Sequence, residues 1–134
     1  MMELTRKGEY AIRGIIHLAK LKPGSVALIS EIAESTGVPQ TFLAKILQSF
    51  AKIGLVNSFR GTGGGFVLGR SPSQITLLEV VEAVEGPIMP NRCMMDGAGC
   101  EFNRTCLVHP VWREVQSKVV EILGSVTIEE LAKN

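Results

Sequence analysis

Long apolar runs are missing from this sequence. Nowhere do apolar residues continue for the roughly 18 positions that a membrane span needs, and no basic segment followed by an apolar stretch opens the chain. A soluble, cytoplasmic protein without membrane attachment is the expectation. Histidine is scarce, at two residues. No paired catalytic carboxylates stand in a recognisable motif, so the chain offers an enzyme little to work with and a non-enzymatic role is expected. Close pairs of cysteine are also absent. The three cysteines are separated by six and then five residues, at Cys93, Cys100 and Cys106. An odd number of thiols in a reducing compartment argues for a metal or redox role over a structural disulfide.

What is present fits one domain, since 134 residues suffice for a single hydrophobic core. The net charge of +1 hides an asymmetry: residues 1–75 hold nine Lys or Arg against four Glu, and residues 76–134 hold five against nine acidic groups. A basic first part joined to an acidic second part suggests that the first meets a polyanion. The expected organisation is a DNA-binding region over 1–75, followed over 76–134 by a cysteine-bearing loop and further helices, in one compact unit.

Thr5 is placed to cap a first helix with Ile12, Ile15, Ile16 and Ala19 at helical spacing, which Gly8 and Gly14 weaken locally. Pro23 and Gly24 end that segment. Ser30 precedes a short helix stopping at Gly37, and Pro39 opens a longer one running to about Gly54, with Phe42, Ile46, Phe50 and Ile53 on its apolar face. Short helix, glycine turn, longer helix is a helix-turn-helix pattern. The N-terminal part of the second helix reaches base edges in such units, which nominates Gln40 and Thr41 for base contacts and Lys45 for bases or phosphate.

Two β-forming runs, Leu55 to Phe59 and Phe66 to Leu68, flank a glycine cluster and predict a hairpin, the wing of a winged helix. Nucleotide binding does not fit this cluster. Phe66 and Val67 follow Gly65 where a phosphate loop needs Lys and Ser or Thr, and Leu68 stands where a dinucleotide fingerprint needs glycine. Gly61, Thr62 and Gly63 are instead assigned to a wing tip lying close to the DNA, with Arg60 entering a minor groove. Thr76 starts a further amphipathic helix that Gly86 and Pro87 stop. Pro110 begins another, carrying Val111, Val115, Val119 and Ile122, and a last short helix follows Thr127.

From Pro87 to Val108 no periodicity survives, and loops of that length in compact domains are usually functional or disordered. Zinc sites favour C-x₂₋₄-C pairs, whereas wider gaps suit a loop wrapping a larger iron-sulfur cluster. Gly97 and Gly99 permit the wrapping, and Arg92 and Arg104 favour thiolate. Zinc and free thiols stay open as alternatives, so the rival functions are a zinc-stabilised winged-helix module that binds proteins and a thiol-based regulator without a cluster. His109, two residues beyond Cys106, is either a fourth ligand or a cap for the helix at Pro110.

The opening Leu4, Thr5, Lys7, Gly8, Tyr10 and Ala11, the wing from Arg60 to Gly69 and the spaced cysteines resemble the Rrf family of winged-helix transcription regulators. The likeness covers nearly the whole chain and is strongest to the branch that governs iron-sulfur cluster assembly. It implies a mostly α fold with a small β-hairpin wing and a long C-terminal dimerisation helix starting at Pro110. It implies a 2Fe-2S cluster on Cys93, Cys100, Cys106 and His109, with 4Fe-4S as the other type, and a homodimer on roughly palindromic double-stranded DNA, with Arg60 in the minor groove and Thr41 near bases. Some members use a carboxylate from the partner's first helix as the fourth ligand, and Glu9 stands at that position. Ala44 departs from the pattern, replacing an acidic residue that selects between DNA sites.

Overall fold

Threonine hydroxyls start three of the helices. Thr5 accepts from the Gly8 amide at 3.3 Å and opens α1 (Arg6–Lys20). Thr76 opens α4 (Leu77–Glu85) through a reciprocal capping box with Glu79, and Thr127 accepts from the Glu130 amide at 3.2 Å to open α6 (Ile128–Ala132). Between them lie α2 (Ile29–Thr36), α3 (Gln40–Lys52), strands β1 (Val56–Phe59) and β2 (Gly65–Leu68), a 3₁₀ turn at Pro72–Gln74, and α5 (His109–Ser125). The structure is a computed structural model and describes residues 4–60, 64–89 and 107–133. Among the described residues no helix is long and apolar enough to cross a membrane.

The architecture is the winged helix expected from the sequence, with small differences at element ends. α2 begins at Ile29 behind Leu28, so Ser30 lies inside the helix and caps nothing. Pro39 is the cap position of α3, just outside the first helical residue. β1 and β2 pair antiparallel with Val56 opposite Leu68 and Phe59 opposite Gly65.

A feature the sequence did not announce widens the hairpin at its base. Ala27 and Phe66 exchange two backbone hydrogen bonds of 2.8 Å, so the segment before α2 adds a one-residue rung to the wing. A second rung joins Thr76 to Thr127 and lays the two helix starts side by side. It carries Ile128 into the core beside Ile75, although the two are distant in sequence.

One core runs through these elements. Ala11, Ile15 and Leu18 of α1 meet Ile32, Leu43, Ile46, Leu47, Phe50, Leu55, Val80 and Ile128. α1 packs against α2, α3, α4, α6 and β2, so it is the helix that the others share. Gly8 and Gly14, read from sequence as weak points of this helix, are both buried in its packed face. α5 differs in that none of its residues is buried, and its main contact is with α4.

The wing's seat depends on Gly65, where a Cβ would overlap the carbonyl oxygen of Ala27. Gly65→Ala is therefore expected to push the rung apart at a cost of about 1–3 kcal/mol, lowering the melting temperature by several degrees in a thermal denaturation scan. An unchanged melting temperature would mean that the rung contributes nothing to stability.

Candidate nucleic-acid interface and metal centre

The side chains that α3 buries are Leu43, Ile46, Leu47 and Phe50. This corrects the sequence reading, which put Phe42 and Ile53 on the apolar face: Phe42 is 46% exposed and Ile53 is 53% exposed. Two overlapping stripes account for the difference. Positions 43, 46, 47 and 50 recur at i, i+3, i+4, i+7 and positions 42, 46, 50 and 53 at i, i+4, i+8, i+11, both of them helical, and the packing selects the first. Leu43, the residue that decides the matter, is itself apolar, and a choice between adjacent Phe and Leu could not be made from one strand of sequence.

With that face against the core, Gln40, Thr41 and Lys45 are all exposed. α3 holds no Asp or Glu, and Lys45 and Lys52 are its charges. Pro39 supplies no side-chain acceptor, so the first-turn amides of α3 have no side-chain cap and are free to face an anion. The wing leaves almost directly from this helix, because the Leu55 amide donates to Phe50 O at 3.0 Å. Arg60, one residue beyond β1, is exposed. Gly61, Thr62 and Gly63, assigned to the wing tip, lie outside the described residues.

The three cysteines also lie outside the described residues. The fourth-ligand candidates can be placed. His109 is the first residue of α5, and the cap position before it is Val108 with no side-chain cap bond, so the capping role considered for His109 is not what the ring does. Its Nδ1 is buried and has no hydrogen-bond partner among the described residues. An orphaned imidazole nitrogen is costly unless something is bound there, and it fits a donor set of thiolates plus one histidine. Glu9 is exposed in the first turn of α1 and forms no ion pair among the described residues.

The stretch that leads toward the cysteines is fastened at two points. Glu85, the last residue of α4, accepts from the Thr5 amide at 3.1 Å and from the Thr5 hydroxyl, which itself accepts from the Gly8 amide. A carboxylate is thus seated at the N-terminus of α1, where the helix dipole favours it. A Cβ at Gly8 would collide with Glu85 Oε1 and with Leu4, so glycine makes the room. From α5, Gln116 Nε2 donates to Ile88 O at 2.8 Å.

Residues 4–134 match the Rrf2 family, described as an iron-dependent transcriptional regulator. The chain is 35% identical over 133 residues to the HTH-type transcriptional regulator IscR of Xenorhabdus nematophila, covering 99% of this chain and 80% of that protein. Among solved structures it is similar to CymR, the global cysteine regulator of B. subtilis, with a TM-score of 0.77 and 31% identity over 99% of this chain and 98% of that one. It is also similar to IscR of T. potens, with a TM-score of 0.78 and 25% identity over 98% of this chain and 87% of that one.

Glu85→Ala removes the acceptor over α1 and should cost about 0.5–2 kcal/mol, the usual range for a lost helix cap. Amide exchange at Gly8 and its neighbours should quicken, while amides in the middle of α3 stay protected. Uniform loss of protection across the chain, or none, would contradict a local clasp.

Proposed function

The chain belongs to the Rrf2 family of iron-dependent transcriptional regulators, and from that membership we propose that it binds a roughly palindromic operator as a homodimer and tunes that binding with an iron-sulfur cluster. The observation that carries the DNA half is the acid-free outer face of α3, exposing Gln40, Thr41 and Lys45. Arg60, exposed one residue beyond β1, adds a further cation to the DNA-binding region. In this reading Gln40 and Thr41 contact base edges, Lys45 takes a base or phosphate, and Arg60 reaches a minor groove with Gly61, Thr62 and Gly63 close to the backbone. Residues 1–75 are the DNA-binding region and 76–134 carry the cluster loop and the pairing helices.

α5 supports pairing. Two of its apolar residues stay largely uncovered, Val111 being 54% and Ile122 62% exposed, and a second copy of the helix would bury them. Two reading heads held at a fixed separation then match two half-sites.

Cys93, Cys100, Cys106 and His109 are the proposed ligands, with Glu9 as the alternative fourth ligand. The buried Nδ1 of His109, without a hydrogen-bond partner among the described residues, supports histidine over Glu9. Bound there, a 2Fe-2S cluster supplies a redox-active and nitric-oxide-reactive centre; a 4Fe-4S cluster is the other type. The protein's own part is to present three thiolates, which Arg92 and Arg104 favour, and one neutral imidazole on the first turn of α5. Cluster loss changes DNA affinity only if the two states favour different dimer geometries. Similarity to a global cysteine regulator favours one second reading, a regulator that senses through its thiols alone. Anaerobic purification decides between them: visible absorption with matching iron and sulfide belongs to the cluster, and a colourless protein that also contains no zinc belongs to the thiol reading.

Two results are expected. Arg60→Ala should weaken binding to a duplex selected by the protein itself without lowering the melting temperature, and the slope of log affinity against log salt should become shallower by about one. Normal affinity in that variant would remove the wing from the interface. In the anaerobic protein, His109→Ala should alter the visible spectrum more than Glu9→Ala does, with neither preventing dimerisation. Bleaching by Glu9→Ala alone would transfer the fourth-ligand role to the carboxylate.

A further inference from the structure

The side chain that the sequence reading misplaced has a use. Phe42 stands in the first turn of α3, three residues before Lys45, and Thr41 stands four before it, so both are helical neighbours of Lys45. Phe42 is a large apolar ring left 46% exposed in the middle of polar neighbours. It is also held. The ring of Tyr10, from α1, meets it edge-on with centroids 5.7 Å apart and planes at 68°. Tyr10 is itself half-buried against the core. Phe42 therefore cannot fold back over its own helix without giving up that contact, and nearly half of its surface stays open to solvent.

We infer that Phe42 reads sequence, its ring packing against the 5-methyl group of a thymine in the major groove. The inference rests on the DNA-binding reading of α3 and extends it to the class of base recognised. Residues in the first turn of such a helix reach base edges. Gln40 and Thr41 offer hydrogen-bonding groups there, and Lys45 another in the next turn, whereas Phe42 offers none. The one apolar feature that a base pair presents in the major groove is the thymine methyl, which makes it the partner that an aromatic edge can distinguish. α3 has no carboxylate to accept from cytosine N4. The exposed chemistry of its first two turns is therefore directed at adenine through Gln40, guanine through Lys45 and thymine through Phe42. Tyr10 is a positioning residue in this scheme, since it acts on the DNA through the ring it holds and makes no base contact of its own.

The test begins with the full-length protein, purified anaerobically, which enriches its own duplex from a random library. Each thymine of that duplex is then replaced by deoxyuridine, which removes the methyl group and leaves base pairing intact, and affinity is read by fluorescence anisotropy. At one thymine per half-site, uridine should weaken binding about three- to fivefold, from the methyl burial forfeited. Replacing the symmetric pair together should cost roughly tenfold or more on the same basis. Phe42→Ala should bind the thymine and uridine duplexes equally, and Phe42→Leu should keep part of the preference. Thermal melting of both variants checks that they are folded.

A methyl penalty that persists undiminished in Phe42→Ala, or no penalty at any thymine, would overturn the assignment while leaving DNA binding by α3 intact. A variant that binds thymine duplexes normally but no longer captures a protein partner would overturn it too, and would make the ring a protein contact. Failure of the wild-type chain to enrich any duplex would overturn both this role and the DNA-binding reading beneath it.

Discussion

Burial of one stripe on α1 is the constraint from which the rest follows. Ala11, Ile15 and Leu18 are out of contact with water, and the helix that carries them touches α2 and α3 on the reading side, α4 and α6 on the other, and the second strand of the wing. Fully burying a side chain of Leu or Ile size is worth about 1.5–3 kcal/mol, a large fraction of the marginal stability of a domain this size. α1 has few alternative seats in consequence. Any displacement of α4 is felt by a helix that also supports α3, and close-packed interiors transmit such strain instead of absorbing it.

Several polar contacts reinforce that arrangement where apolar packing gives out. Glu85 closes the N-terminus of α1 from the end of α4. Arg70 pairs with Glu79 at 2.6 Å, linking the exit of the wing to the start of α4. Both side chains of that pair are about one-third exposed, and ion pairs at such positions are worth at most about 1 kcal/mol. Their value lies in direction: they hold α4 in register with α1 and with the wing. The part proposed to respond to iron and the part proposed to read DNA are thereby joined through shared helices, with no separate linker between them among the described residues.

In the proposed reading, a ligand change at the cysteines has a short path to follow. The stretch after Glu85 is fastened to Thr5 on one side and, through Ile88, to Gln116 of α5 on the other. Tyr10, little more than a turn along α1 from Thr5, rests on Phe42 at the start of α3. Movement of α4 or α5 would reach the reading helix through these contacts, but only to the extent that the two ligand states differ in the arrangement they stabilise. If α3 reads DNA as proposed, the same contacts would limit the freedom it has to lose on binding.

Local chemistry made much of this legible in advance. Thr5, Thr76 and Thr127 cap helices because a hydroxyl before an apolar-periodic run satisfies an orphan amide whatever surrounds it. The glycine cluster between β-forming runs specified a hairpin, and Gln40, Thr41, Lys45 and Arg60 were legible as exposed because polar side chains beside an apolar stripe have nowhere else to go. Tertiary structure alone decided which of two adjacent apolar residues, Phe42 or Leu43, entered the core, since that depends on how α1 approaches α3. It alone brought Ala27 to Phe66, Ile128 to Ile75 and Glu85 to Thr5, pairs distant in sequence whose meeting no local periodicity encodes. And it alone gave Gly8 its purpose, because the space a missing Cβ leaves has meaning only once another helix arrives to fill it.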